Sequence, residues 1–168
     1  MNGVTTGRTA DPVKVVFVCW GNICRSPIAE RVAQRSAERA GLTEVEFTSA
    51  ATSSEELGNP MDPRAAQVLR GSGYASDNHV AHRISADELA DADLVIAMED
   101  VHVDRLRRLA PDAENVYLLS EFDPAAEPGS GLIDPWYGPD SGFSDTLAAV
   151  EAAIPGVLER VRELQKRV

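Results

Sequence analysis

Cysteine, aromatic residues and positive charge are all scarce in this chain. Cys19 and Cys24 are the two cysteines among 168 residues, aromatics make up 5%, and the formal net charge is −11. Two cysteines within one short stretch give no disulfide framework, which fits a reducing compartment, so a cytoplasmic location is expected. Structural zinc needs four Cys or His ligands, and His79, His82 and His102 lie in another region from the cysteine pair, so no metal or other cofactor is expected. The acidic balance argues against general nucleic-acid binding, because a phosphate backbone is held mainly by clustered Lys and Arg. The leading segment, Met1 to Asp11, is polar and has no apolar core. It is read as neither signal peptide nor membrane span but as a flexible tail before one domain over residues 12–168, with no membrane association expected. No internal repeat is visible, and a hydrophobic fraction of 43% suffices for one buried core.

The informative stretch is Val15 to Pro27. Val15, Val16, Phe17 and Val18 read as a buried strand that ends on Cys19, Gly21 and Asn22 tolerate unusual backbone angles, and Ser26-Pro27 reads as an N-cap followed by a first-turn proline. A tight turn there aims successive backbone N–H groups inward, and the following helix adds its positive end. The concavity therefore attracts a tetrahedral dianion. Arg25 adds a planar fork able to grip two phosphate oxygens, and the same field favours a thiolate nucleophile at Cys19. Only the mouth of such a pocket has to be positive. The remaining acidity, as at Glu44 to Glu46 and Asp87 to Asp93, reads as solvated surface.

Strand-like runs at Val13–Cys19, Val45–Ala50, Leu94–Met98 and Val116–Leu119 alternate with helical stretches at Pro27–Ala40, Asp62–Arg70, Ala86–Ala90, Asp100–Leu109 and Phe143 to about Lys166, the last expected to kink or break at Pro155. That alternation predicts an α/β parallel sheet, with Cys19 at the carboxyl end of a central strand, where ligands bind in such sheets. Asp134 lies in a Gly-, Pro- and Asp-rich loop, Gly129 to Gly142. Its spacing alone reads as an ordinary Asp-Pro turn.

Cys-Trp-Gly-Asn-Ile-Cys-Arg-Ser-Pro at Cys19 to Pro27, together with Asp134-Pro135-Trp136-Tyr137, resembles the low-molecular-weight protein tyrosine phosphatase family, from about Val13 to the C-terminal helix. The resemblance implies a three-layer sandwich around four parallel strands in the order 2-1-3-4, with the phosphate-binding loop after the first. It implies hydrolysis of phosphotyrosine in proteins, and of small aryl phosphates, through phosphocysteine. Cys19 is then the nucleophile, Arg25 the phosphate clamp, Asp134 the general acid and base, and Ser26 the group that steadies the thiolate. Trp20, Gly21, Asn22, Ile23 and Cys24 form the loop. Asn22 and His79 hydrogen-bond to hold its shape, and Cys24 is a reversible disulfide partner protecting the nucleophile. Trp20, Trp136 and Tyr137 line an aromatic slot, phosphate or vanadate inhibits, and the enzyme is a monomer.

Two departures stand out: Glu55-Glu56-Leu57 replaces an aromatic common in relatives, and Ala51 replaces a glycine, while His82 stands where arginine is usual. Among rival readings, arsenate reductases pass oxidation to further cysteines that this chain lacks. Arginine phosphatases resemble this family with a small β-branched residue in place of bulky Trp20. A phosphate-binding module without turnover would have no use for Cys19, Arg25 and Asp134 together.

Overall fold

The computed structural model describes residues 11–167; the expected tail lies outside the described residues except for Asp11. The elements follow the order β1 (Val13–Cys19), α1 (Arg25–Arg39), β2 (Val45–Ala51), α2 (Pro63–Gly71), α3 (Ala86–Asp91), β3 (Leu94–Ala97), α4 (Asp100–Leu109), β4 (Val116–Leu118) and α5 (Ser141–Lys166), with short 3-10 turns at Leu119–Phe122 and Pro135–Tyr137. All strand pairs are parallel, in the order β2-β1-β3-β4. This is the predicted fold class, and most element boundaries move by only one or two residues.

Alternation along β1 builds the three layers. Val15, Phe17 and Cys19 join one cluster with Ile28 and Val32 of α1, Leu69 of α2 and Val150, Ile154 and Val157 of α5. Val16 and Val18 face the other way, into a cluster with Leu89 of α3 and Val103 and Leu106 of α4. Because β1 is covered on both faces, its residues must be apolar almost without a break, which is why it was the most legible strand. The connection from β1 leads outward to β2, whereas β3 lies on the other side of β1. The strand order therefore diverges where Cys19 ends β1, and the loop after it opens above the sheet.

Two expectations are corrected. Ser26 is not a cap: α1 begins at Arg25 with Cys24 before it, so Ser26 sits inside the first turn with its hydroxyl turned to Cys19. The helix also starts earlier because the amide of Ser26 donates to the Cys19 sulfur (3.4 Å), so the sulfur does the work of a capping group. Nor does Pro155 interrupt α5, which is one element from Ser141 to Lys166. Pro155 and Glu151 lie on its exposed side, so water can satisfy the carbonyl that the missing N–H leaves free, while buried Ile154, Val157 and Leu158 hold the helix to the core.

Gly156 explains why the neighbouring position is unforgiving. A Cβ there would lie 2.1 Å from the backbone carbonyl oxygen of Phe122, whereas one at Gly138 would meet nothing within 4 Å. Gly156→Ala is expected to destabilise the fold by about 1–3 kcal/mol, the usual cost of overpacking. Gly138→Ala should leave the urea midpoint nearly unchanged, and equal midpoints for the two variants would contradict this packing.

Candidate active site

The Cys19 sulfur sits at the base of a ring of donors. The amides of Asn22 and Ser26 point at it from 3.3 and 3.4 Å, and the Ser26 hydroxyl lies 3.0 Å away. That hydroxyl accepts from the Asn22 side-chain amide at 2.9 Å, which leaves its own proton for the sulfur at 3.0 Å, the nearer acceptor, or for the Ala50 carbonyl at 3.5 Å.

Asn22 makes the loop possible. It is fully buried and adopts a left-handed backbone with φ 61°, which asparagine tolerates better than most residues. Its amide nitrogen spends both protons, on Ser26 Oγ and on Ser49 Oγ of β2 (2.9 Å each), and its Oδ1 accepts from the backbone of His82 (3.2 Å). The main-chain carbonyl of Asn22 accepts from His79 Nε2 at 2.6 Å. An acceptor-only oxygen requires that nitrogen to carry the proton, so the bond needs no positive charge on the ring. Burial lowers the His79 pKa, which favours the same neutral form. The structure thus brings Asn22 and His79 together through the backbone rather than through the asparagine side chain.

Arg25 is buried to 2% exposure, and its position is fixed by groups the sequence did not single out. Its Nη1 donates to the Glu99 carboxylate and to the Leu132 carbonyl (2.8 Å), and its Nη2 lies 3.4 Å from Asp134 Oδ2. Glu99 is held in turn by the start of α4, where its backbone N–H donates to His102 Nδ1 at 3.1 Å. The other Asp134 oxygen accepts from the Trp136 amide at 3.0 Å, so the Asp-Pro turn aims one oxygen inward and anchors the other. These residues are more than 70 positions from Arg25, and no local pattern links them.

Cys19, Trp20, Gly21, Ile23, Cys24, Arg25, Asp134, Trp136 and Tyr137 line one cavity of about 160 Å³. Glu55 and Glu56 share its rim, so the mouth carries carboxylates rather than the positive charge expected there. Gly21 permits this closeness, since a Cβ would stand 3.1 Å from the Glu56 side chain. Besides Arg25, cations stand behind the aromatic walls. Arg105 lies 4.5 Å over Trp20 and Arg64 lies 5.2 Å over Trp136, while Trp20 Nε1 donates to Glu55 at 2.7 Å. Cys24 is a free thiol at the cavity edge whose pKa burial pushes up, with the Asp62 charge adding to the effect. No group of residues suited to a metal ion occurs among the described residues, and no described helix is long and apolar enough to cross a membrane.

The model of the family described as low molecular weight phosphotyrosine protein phosphatase matches residues 14–167. A low molecular weight protein-tyrosine-phosphatase of Streptomyces coelicolor is 45% identical over 155 residues, covering 89% of this chain and 94% of that one. The crystal structure of a protein tyrosine phosphatase from Entamoeba histolytica superposes with a TM-score of 0.84 at 28% identity, covering 90% of this chain and 97% of that one. An arginine phosphatase from Drosophila also shares the fold, with a TM-score of 0.81 at 26% identity over 88% of this chain and 97% of that one.

His102 ties this geometry to pH. The ring is fully buried, its Nδ1 accepts from Glu99, its Nε2 has no partner among the described residues, and burial beside Arg25 and Arg105 lowers its pKa to about 3. A histidine depressed in the fold binds its proton more readily when unfolded, so stability is full above about pH 6.5 and falls as pH drops toward 3. Between pH 6.5 and 5 the loss from this one group is expected to be about 2 kcal/mol. Urea unfolding should show that loss in the wild type and a flatter pH profile in His102→Asn; superimposable slopes would contradict the assignment.

Proposed function

The chain belongs to the low molecular weight phosphotyrosine protein phosphatase family, and from that premise we propose that it is a single-domain hydrolase that removes phosphate from tyrosine in phosphoprotein substrates, with Cys19 as nucleophile. The observation that carries this reading is the Cys19 sulfur under the Asn22 and Ser26 amides, in one cavity with Arg25 and Asp134.

In the first step the Cys19 thiolate attacks phosphorus in line, an S–P bond forms, and the P–O bond to the phenol breaks. Asp134 gives its proton to the departing oxygen, which would otherwise leave as an anion of a group with pKa near 10. Arg25 and the loop amides hold the equatorial oxygens, where charge spreads in the transition state. Water then attacks phosphorus, Asp134 takes the proton back, and sulfur leaves as thiolate. The Ser26 hydroxyl supports that anion, since hydrogen bonds to charged groups are the stronger ones. Phenol and inorganic phosphate are the products, and phosphate or vanadate is expected to inhibit by occupying the same donors.

Trp20, Trp136 and Tyr137 support a preference for a flat aryl ester over a serine phosphate. The bulk of Trp20 beside the nucleophile also speaks against phosphoarginine, despite the shared fold of the Drosophila protein. Cys24 is read as a disulfide partner for oxidised Cys19; its burial favours the thiol until then. Monomeric action in the cytoplasm completes the reading.

Peptides carrying phosphotyrosine, phosphoserine or phosphoarginine test it. Turnover should be confined largely to phosphotyrosine and vanish in Cys19→Ser. Asp134→Asn should slow it roughly 10²–10⁴-fold, with a smaller effect on p-nitrophenyl phosphate, whose leaving group needs less protonation. Ser26→Ala should cost about 10- to 100-fold in kcat, matching the roughly 1.5–3 kcal/mol of a charged hydrogen bond. Undiminished hydrolysis by Cys19→Ser would refute the mechanism, and equal rates on the three peptides would refute the aromatic slot.

A further inference from the structure

Arg105, which lies over the Trp20 ring, also lines a second cavity, of about 290 Å³, whose charged lining is entirely cationic: Arg83, Arg105 and Arg108. In a chain of net charge −11 this is unusual, and among the described residues none of the three guanidiniums forms an ion pair with a carboxylate. The floor is apolar and rigid, because Ile84 and Leu106 are buried in the core on that face of the sheet. Thr52, which also lines the cavity, is 4% exposed, and its Oγ1 is buried, with no hydrogen-bond partner among the described residues.

We infer that this cavity is a second oxyanion subsite, taking a phosphoryl group between the three arginines. Arg105 is already oriented for it. Its Nε and Nη2 grip the Thr52 carbonyl at 3.2 and 2.8 Å and its plane stacks on Trp20, which leaves three of its five N–H donors uncommitted among the described residues. Arg83 makes one long bond to Ser54 Oγ (3.3 Å), and both it and Arg108 are exposed and able to close on an anion. Guanidinium forks match the geometry of phosphate oxygens, and three around one cavity exceed what a single rim contact would need.

The subsite is wired to the catalytic loop. The Thr52 amide donates to the Cys19 carbonyl (2.9 Å) and the Ser53 amide to the Trp20 carbonyl (3.1 Å). Thr52 follows directly on Ala51, the β2 partner of Cys19. An anion drawing Arg105 toward the cavity therefore acts on its contact with the Trp20 ring. The same phosphoryl chemistry can come from a second phosphorylated residue on the substrate or from a free phosphate. The binding itself stands independently of the proposed hydrolysis; the substrate comparison rests on it.

Inorganic phosphate titrated into the wild-type protein, followed by backbone amide NMR, separates the two sites. The amides of Thr52, Arg105 and Leu109 should shift with one affinity and those of Gly21 and Ile23 with another. In Arg83→Gln/Arg108→Gln the first set should weaken by about tenfold or more while the second is unchanged, as should be turnover of p-nitrophenyl phosphate. A wild-type preference for a phosphotyrosine peptide bearing an added phosphoserine, lost in the double variant, assigns the second group to the substrate. Phosphate binding without that preference assigns the subsite to a free anion. Phosphate shifts confined to Gly21 and Ile23, or second-site shifts that persist in the double variant, overturn the inference. Silence of Gly21 and Ile23 would instead count against the proposed catalytic reading alone.

Discussion

Everything at this site depends on holding one buried asparagine in a backbone conformation it would not choose. Asn22 sits at φ 61° between a strand and a helix, and five hydrogen bonds fix it: its own amide to Cys19, its side chain to Ser26, Ser49 and His82, and its carbonyl to His79. Glycine would fit the angle at less cost, but it has no side-chain amide to join α1, β2 and the 79–82 segment. The left-handed turn costs a local strain of order 1 kcal/mol; the network over-determines it. A loop so held presents its N–H groups without further reorganisation, which is what electrostatic stabilisation of a charged transition state requires.

The hydrogen-bond direction through that network has a chemical consequence. Asn22 donates to Ser26, so the serine hydroxyl has its proton left for the sulfur; Asn22 also donates to Ser49, whose hydroxyl then donates to Glu30 at 2.5 Å. Both serines are thereby polarised outward from the asparagine, one toward the Cys19 sulfur and one toward a carboxylate. Were the Asn22 amide turned the other way, its carbonyl oxygen would demand the serine protons and Cys19 would lose a donor. The backbone N–H of His82 fixes the orientation by requiring an acceptor at Oδ1. A contact some 60 positions along the chain thus decides which way a proton points at the sulfur.

How much of this could be read from the sequence follows from the range of each contact. β1, its loop and the helix after it were legible because the apolar run, Cys19, Gly21, Asn22 and Arg25 lie within a dozen residues and each serves one local geometry. Ser26 was misread as a cap because Ser before Pro is a local signal, whereas its actual position reflects the sulfur taking the helix's free amide. Glu99 was invisible: it looks like any surface acid ahead of a helix, and only the fold brings it to Arg25. Arg64 and Arg105 were invisible for the same reason, since they reach Trp136 and Trp20 from α2 and α4. Pro155 does not break its helix, because a proline's effect depends on whether water reaches the carbonyl it abandons.

The charge layout reconciles an acidic protein with an anionic ligand. Glu55 and Glu56 at the rim disfavour a dianion on approach, yet Arg25 lies in the cavity, already flanked by Glu99 and Asp134. The flanking carboxylates fix the guanidinium in one orientation, so its fork is aimed before any ligand arrives. Asp134 stands 3.4 Å from that guanidinium. In the proposed hydrolysis this one residue is both neighbour to the clamp and donor to the leaving group. Field strength is highest where water is least, so attraction grows with depth into the slot while the rim acids act through solvent. In the proposed reading, a substrate that carries its charge on a long flat ring gains from that gradient, whereas a short phosphoserine would have to bring its charge and its own backbone past Glu55 and Glu56 together.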